Sequence, residues 1–377
     1  MPGPKKAGRF DIADIVRGHR AALESKYSLS PQQKRVLTDI AQCRTAILGG
    51  HLDHCQDCGY ERPSYNSCRN RHCPKCQALA QEKWIAEQQQ RMLDVKHFHV
   101  VFTLPAELRP LAAFAKDAVY GALFRAASST LLEFGERRLS ATIGATLVLH
   151  TWTRKLHFHP HVHAIVTGGG LSLDGTQWGS VRRAFLFPVK LMSRVFRGKM
   201  IDELTRLYKD GNFSGFSDFD DPEAFSTLVN RLWKLPWVVY AKPTFSKGEY
   251  VLKYLGRYTH RVGIANSRLL DVTGEYVHFR TKGDGAETVS PVEFLRRFVQ
   301  HVLPDGFHKI RHYGLNGSPD KRELTRAILK IPTVTVKPQS WRERFAKLTG
   351  RDVSCCPNCS GVLIALPLAR APPMGSS

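Results

Sequence analysis

Long apolar segments are missing from this sequence of 377 residues. Apolar stretches such as residues 147–149 and 362–369 fall far short of the roughly 18 apolar residues that a membrane-spanning helix requires. Residues 1–10 are polar and basic, so the apolar segment of a secretory signal is also missing. We therefore expect no membrane partner and a cytoplasmic location, where cysteines stay reduced.

Acidic residues are scarce relative to basic ones. The chain has 33 Asp and Glu against 55 Lys and Arg, which gives a net charge of +22. A content of 42% hydrophobic and 10% aromatic residues is enough for a folded core, which excludes a mainly disordered chain. The length predicts two or three domains. A folded chain with this charge favours nucleic acid as the partner, with an anionic membrane surface as the weaker alternative.

Neither internal repeats nor long low-complexity segments are present, and the patterning predicts a mixed α+β fold. Residues 11–42 have helical spacing, with Ser30 and Pro31 at a helix start. Strands are predicted at 97–104, 142–153, 161–167 and 237–241, helices at 111–134 and 248–262, and a hairpin at 269–281. Residues 171–235 are interpreted as an insertion. This order fits an antiparallel or mixed sheet better than a doubly wound parallel one.

Two cysteine pairs dominate the segment 43–76. Cys55 and Cys58 form one C-x-x-C pair, and Cys73 and Cys76 form another. Reduced thiols at this spacing predict one tetrahedral zinc site in a small module that lacks a core of its own. Four further residues could replace a ligand or hold a second metal nearby: Cys68, His51, His54 and His72.

A third pair, Cys356 and Cys359, lies close to the C-terminus beside Cys355. Three thiols alone do not complete a tetrahedral site, so the sequence leaves two alternatives open. The segment either binds zinc or is a reducible tail.

Histidines alternate with other residues in the segment 157–163. His161 and His163 are two residues apart on a predicted strand, so they point to the same face and can bind one metal ion. A hairpin with the preceding strand would place His150 opposite His163 as a third ligand, although a slip of one residue would reverse its face. His157 or a downstream acid remains an alternative third ligand.

Tyrosines recur every fourth residue in the segment 250–258, which predicts a helix with a tyrosine stripe. A stripe of basic residues runs beside it. A phenol with a pKa near 10 is a weak nucleophile unless a cation and a metal assist it, and a structural stripe packed on a sheet is the alternative. The two stripes consist of Tyr250, Tyr254 and Tyr258, and of Lys253, Arg257 and Arg261.

Together, these motifs resemble the HUH endonucleases that initiate rolling-circle replication and transposition. The similarity rests on the His161-Val162-His163 strand, the upstream segment 102–105 and the downstream Tyr254 and Tyr258. The cysteine-rich run 67–76, the glycines at 168–170 and the run 254–261 are more specifically similar to rolling-circle insertion-sequence transposases with an N-terminal zinc-binding domain and two catalytic tyrosines. The resemblance extends from about residue 45 to residue 315.

The resemblance implies a metal-dependent single-strand DNA endonuclease and strand transferase with a ferredoxin- or RRM-like palm. A tyrosine attacks a DNA phosphate to form a 5′-phosphotyrosine link, with Mg²⁺ or Mn²⁺ at the histidines and structural Zn²⁺ in the module. Tyr254 and Tyr258 are then the nucleophiles, while Arg257 and Lys253 stabilise charge. The substrate is single-stranded DNA, with hairpin-bearing element ends, in a bacterial nucleoid. The predicted DNA-binding residues are Arg69, Arg71, Arg182, Arg183, Arg194, Arg197 and Arg261.

The corresponding domain organisation has four parts. Residues 1–90 form a helical segment with the zinc-binding module, and residues 91–265 form the nuclease core with the insertion. Residues 266–345 form an α/β, largely helical part that contacts DNA, and residues 346–377 form a tail with cysteines.

Three other functions account for some of the motifs. A plasmid replication initiator or relaxase would share the nicking chemistry. Only the zinc module favours the transposase over this alternative. A non-catalytic zinc-ribbon regulator would explain the charge and the cysteines but not the histidines and tyrosines. A barrel metal hydrolase requires an eight-fold strand and helix alternation that the sequence does not show.

Overall fold

The computed structural model describes residues 10–181, 186–243, 263–333 and 339–368. Within them the strands are β1 (Gly50–Cys55), β2 (Glu61–Tyr65), β3 (His97–Thr103), β4 (Ala141–Trp152), β5 (Phe158–Ser172), β6 (Trp178–Ser180), β7 (Val239–Pro243), β8 (Leu269–Val272), β9 (Val277–Arg280), β10 (Ala286–Val289), β11 (Ile310–Gly314) and β12 (Leu363–Leu368). The α-helices are α1 (Ile12–Lys26), α2 (Pro31–Gln42), α3 (Gln77–Arg91), α4 (Arg109–Phe114), α5 (Lys116–Leu139), α6 (Val189–Lys209), α7 (Ala224–Lys234), α8 (Pro291–Val299), α9 (Pro319–Leu329) and α10 (Trp341–Thr349).

A central antiparallel sheet organises the molecule. Its strand order is β11-β4-β5-β3-β7, and β6 pairs with the end of β5. Each of these pairings is antiparallel. The predicted α+β class with an antiparallel sheet is therefore confirmed. The single predicted helix at 111–134 is instead two helices, α4 and α5, separated at Ala115, whose backbone leaves the helical region.

One face of this sheet carries the main hydrophobic core. Phe98, Val100 and Phe102 alternate along β3 and are fully buried, because every second side chain of a strand points to the same side. They pack with α5 and α6 in one cluster of buried side chains. Residues 186–235, which fall within the predicted insertion, supply α6 and α7, so this segment contributes to the core.

The opposite face of the sheet is more polar. His99 on β3, His163 on β5 and His150 on β4 lie on it, alternating with the core residues. Helix α3 covers part of this face, where Trp84 packs with Val148 and Ile165. Because α3 follows directly on the cysteine-rich segment, it connects that segment to the histidine-bearing face.

A second core joins the N-terminal helices to residues 264–302. The buried faces of α1 and α2 pack against α8, with Ile12, Leu37 and Phe298 among the fully buried or nearly buried members. Ser30 begins α2 with a reciprocal capping arrangement with Gln33, as its position before Pro31 predicted. Parts of the predicted segments 1–90 and 266–345 therefore share one core.

Two small sheets complete the described fold. β8, β9 and β10 form a meander that includes the predicted hairpin. β1 lies between β2 and β12, so the C-terminal strand pairs with the N-terminal module. Among the described residues, no helix combines the length and apolar character needed to cross a bilayer.

Candidate active site and metal-binding clusters

Three histidines meet on the polar face of the central sheet. Potential ligand nitrogens of His150, His161 and His163 all lie within 4.8 Å of one another. His161 and His163 share a face of β5, and His150 comes from the neighbouring strand β4. The ring centroids of His150 and His163 are 4.5 Å apart, and those of His161 and His163 are 4.9 Å apart. Three imidazoles at this separation can bind one metal ion.

The strand register differs from the predicted one. We expected His150 opposite His163, but His150 pairs with His161 and Val148 pairs with His163. The difference amounts to two residues, and an even shift keeps a side chain on the same face. His150 therefore joins the cluster although its predicted partner was wrong.

The neighbouring histidines have other environments. His157 precedes β5 and is exposed, outside the cluster. His159 lies within β5. Its ring accepts a hydrogen bond from the Arg109 guanidinium across 3.3 Å, and its carbonyl accepts one from Nδ1 of His161 across 2.7 Å.

The hydrogen bonds and burial of the cluster prepare it for a cation. Because Nδ1 of His161 donates to a carbonyl, its Nε2 keeps a lone pair for a metal. Burial lowers the pKa of His161 to about 4 and lowers that of His163 well below its usual range. Both imidazoles are therefore neutral at neutral pH, which is the state that binds metals.

Sequence reasoning missed His99. Its Nε2 lies 2.8 Å from Nδ1 of His163, and the two rings are nearly parallel with centroids 5.1 Å apart. With Nδ1 of His163 as the donor in this bond, its Nε2 keeps a lone pair for a metal. The available signal was the His97-Phe98-His99 alternation on the adjacent strand, which places His99 on the same face.

We expect replacement of His99 by phenylalanine to weaken metal binding about 10- to 100-fold, as loss of a partner behind a ligand typically does. Activity should return at higher Mn²⁺ concentration, because the three ligands remain. A manganese titration of DNA nicking measures this effect. His278→Phe, at a histidine that instead bonds Thr288 in the separate sheet of β8, β9 and β10, is the control, and equal effects of the two substitutions would contradict a positioning role.

The cysteines form two clusters, so the predicted grouping of four thiolates was wrong. Cys73 and Cys76 meet Cys43 and Cys68, whereas Cys55 and Cys58 meet Cys356 and Cys359. In the first cluster Sγ of Cys76 lies 3.6 Å from that of Cys43 and 3.7 Å from that of Cys68. A zinc tetrahedron with bonds of about 2.3 Å has edges of about 3.8 Å. The first cluster therefore fits zinc.

The histidines considered as replacement ligands lie outside both clusters. His51 pairs with Asp53, and His54 pairs with Glu61, each at 3.0 Å. Nε2 of His72 accepts a hydrogen bond from the backbone N–H of Leu303. Cys43 escaped the sequence prediction because it is a single cysteine directly after α2, without a C-x-x-C pattern.

Two of the predicted DNA-binding arginines make internal contacts. The Arg71 guanidinium donates to the carbonyls of Phe307 and Pro304 across 2.6 and 2.7 Å. Arg197 donates to the carbonyl of Trp233 and lies over its ring. These contacts give both side chains a structural role, and their predicted contact with DNA stays a prediction. Arg69 and Arg194 are exposed, as a phosphate contact requires.

We expect Arg71→Ala to lower the free energy of unfolding by about 2 kcal/mol, because two carbonyls lose charged donors. Arg69→Ala should leave stability unchanged and weaken DNA binding instead. Chemical denaturation and a salt series of DNA binding measure the two effects. If Arg71→Ala left stability unchanged and Arg69→Ala lowered it, the structural role of Arg71 would be contradicted.

Several predicted residues lie outside the described residues. They include the two candidate nucleophiles and the basic residues around them: Tyr254, Tyr258, Lys253, Arg257, Arg261, Arg182 and Arg183. The predicted helix at 248–262 also falls there.

Comparison with known proteins adds the family. The family model described as "Transposase zinc-binding domain" matches residues 15–104, and the one described as "Putative transposase" matches residues 144–322. The chain is 44% identical over 368 residues to "Putative transposase y4qJ" of Sinorhizobium fredii, covering 93% of this chain and 92% of that protein. It is 31% identical over 293 residues to "Transposase for insertion sequence element IS801" of Pseudomonas savastanoi pv. phaseolicola, covering 74% and 68%.

No solved structure matches the chain at a significant level. The two relatives nevertheless match over most of their lengths, and the zinc-binding match includes all four cysteines of the first cluster. The chain therefore belongs to the insertion-sequence transposases related to that of IS801.

Proposed function

We propose that this transposase nicks and rejoins single-stranded DNA at element ends by rolling-circle transposition, through a 5′-phosphotyrosine intermediate. The observation that carries the proposal is the cluster of His150, His161 and His163 on adjacent strands. A zinc-binding DNA regulator has no use for such a cluster. Both named relatives are transposases, which favours this role over that of a replication initiator.

The three imidazoles are the residues that would hold a divalent cation. Mn²⁺ or Mg²⁺ bound there would polarise the scissile phosphate. Nitrogen ligands suit Mn²⁺ better than Mg²⁺, which prefers oxygen. His161 is the least buried of the three histidines, whereas His150 is almost fully buried and stacked on Trp152. DNA would therefore approach from the His161 side.

Tyr254 and Tyr258 are the proposed nucleophiles. The phenolic oxygen of one tyrosine loses its proton and forms a bond to phosphorus, and the bond from phosphorus to the 3′ oxygen breaks. The 3′ oxygen takes up a proton and becomes a free hydroxyl. The number of phosphoester bonds is conserved, so no ATP is needed, and the second tyrosine can accept a second strand while the first link persists. Arg257 and Lys253 are proposed to stabilise the developing negative charge.

A basic cavity on the same face of the sheet supports a path for the DNA backbone. It has a volume of about 490 Å³ and is lined by Arg91, Arg311, Arg322 and His312, among others. His312 bonds Thr146, which precedes His150 by four residues on β4 and shares its face. Phosphate neutralisation by this cavity and by exposed Arg69 and Arg194 would make affinity fall steeply with salt.

The decisive experiment incubates the purified chain with labelled single-stranded DNA that carries an element end, in Mn²⁺ or with chelator. We expect a covalent protein–DNA adduct only in Mn²⁺, mapping to Tyr254 or Tyr258. Salt-sensitive binding without an adduct on any single-stranded substrate would contradict the proposal. A double-stranded substrate of the same sequence is the control. The proposed role on DNA would locate the chain at the bacterial nucleoid.

A further inference from the structure

The second cysteine cluster joins two parts of the chain that are remote in sequence. Sγ of Cys55 lies 3.5 Å from that of Cys359, and Sγ of Cys58 lies 3.5 Å from that of Cys356. All four sulfur atoms lie within 4.8 Å of one another. Cys356 and Cys359 lie outside both segments that match the family models.

The two halves of this cluster are turns of the same design. In the first, the N–H of Gly59 donates to the carbonyl of Cys55 across 3.0 Å, and in the second, Ser360 donates to Cys356 across 3.0 Å. Gly59 and Ser360, each directly after the second cysteine of its pair, both have a positive φ, of 69° and 64°. A non-glycine residue in this conformation is uncommon, so the second turn is held in a specific shape.

Backbone donors also point at the sulfur atoms. The N–H of Asn358 lies 3.4 Å from Sγ of Cys356, and that of Gly361 lies 3.4 Å from Sγ of Cys359. Such donors favour the thiolate form, which is the form that binds a metal. Sulfur separations of 3.5 Å are close to the tetrahedral edge of about 3.8 Å and far longer than a disulfide bond of about 2.05 Å.

The C-terminal strand has little else to hold it. β12 pairs with β1, but none of its residues is buried, and Val362 beside it is 70% exposed. Helix α10 has no buried residue either and contacts α3 through an ion pair of Lys347 with Glu82. A segment without a hydrophobic core needs another source of stability, and in small modules a metal supplies it.

We propose that Cys55, Cys58, Cys356 and Cys359 bind a second zinc ion, which fastens β12 to the N-terminal module. The transposase then carries two zinc sites of different construction. The first takes all its ligands from residues 43–76, and the second combines two ligands from that segment with two from residues 356–359. Loss of the second ion would release β12 and expose the edge of β1, while the first site would remain.

The test is the zinc content of the purified full chain, measured by plasma mass spectrometry. We expect two zinc ions per chain in the wild type and one in the Cys356→Ser/Cys359→Ser variant. Cys355→Ser is the matched control, because this exposed cysteine belongs to neither cluster, and it should retain two. Hydrogen exchange should show faster exchange of the β1 and β12 amides in the double variant only.

The wild-type measurement decides the question even if the double variant fails to fold. One zinc ion per wild-type chain would overturn the proposal. A disulfide between Cys55 and Cys359 would also overturn it, and mass spectrometry would detect this bond as a chain mass lower by two hydrogens. Iron in place of zinc would show that the proposed metal is wrong. None of these results depends on DNA cleavage, so the proposed nuclease function is tested separately.

Discussion

The double variant Tyr254→Phe/Tyr258→Phe is expected to form no covalent DNA adduct and to lose nicking by at least about 10³-fold, because a nucleophile has no substitute within the reaction. Binding of single-stranded DNA should change little, since removal of two hydroxyl groups leaves the basic charge intact. Denaturing gels of labelled DNA measure the adduct, and filter binding measures affinity. The single variant that lacks the second-acting tyrosine should retain the first cut.

Tyr250→Phe is the matched control for this experiment. It removes the third hydroxyl of the same stripe, which lies outside the paired motif, and should retain full activity. A double variant that still forms the adduct would assign the nucleophile elsewhere. Tyr240, which is about half exposed on β7, would then be the next residue to map.

The variant His161→Ala/His163→Ala is expected to lose metal-dependent nicking by about 10²- to 10³-fold, equivalent to several kcal/mol of transition-state stabilisation. One imidazole, His150, cannot hold the cation alone. Cleavage rates over a range of Mn²⁺ concentrations measure the loss, and added metal should not restore the double variant. This result would distinguish the metal ligands from His99, because added metal is expected to restore activity to the His99 variant.

His157→Ala serves as its control, because this exposed histidine lies four residues before His161 and outside the cluster. It should keep both the rate and the metal dependence of the wild type. A double variant that nicks at the wild-type rate in chelator would show that the cluster has a purely structural role. Thermal unfolding of each variant would show whether the fold has been preserved.

Local chemistry made part of this site predictable from sequence. The spacing of His161 and His163 fixes their common face whatever the surroundings, and a hairpin is the simplest way to bring His150 beside them. The exact pairing depends on the bulged register between His150 and Trp152, which side-chain pattern does not encode. His99 was missed because its role depends on which strand pairs with β5, and this pairing is set by the tertiary structure.

The cysteines show the same limit more clearly. A C-x-x-C pair predicts half of a tetrahedral site, but nothing in the pair specifies the other half. Cys55 and Cys58 meet their partners about 300 residues further along the chain, while Cys43 carries no local motif at all. The α+β class was predictable because strand and helix periodicities are local. The shared core of α1 and α8 could not be predicted, because an amphipathic helix pattern shows which face is buried but not which element covers it.

That shared core has a consequence for how the protein is made. The apolar faces of α1 and α2, which also pack on each other, are fully buried only when α8 and Val302 have left the ribosome. At usual rates of synthesis, the interval between the emergence of Ile40 and that of Val302 is on the order of 10 to 50 s. During this time the nascent chain exposes the apolar faces of two helices, which chaperones can bind. An isolated N-terminal fragment would keep that surface permanently, so the zinc module should be expressed and studied only within the whole chain.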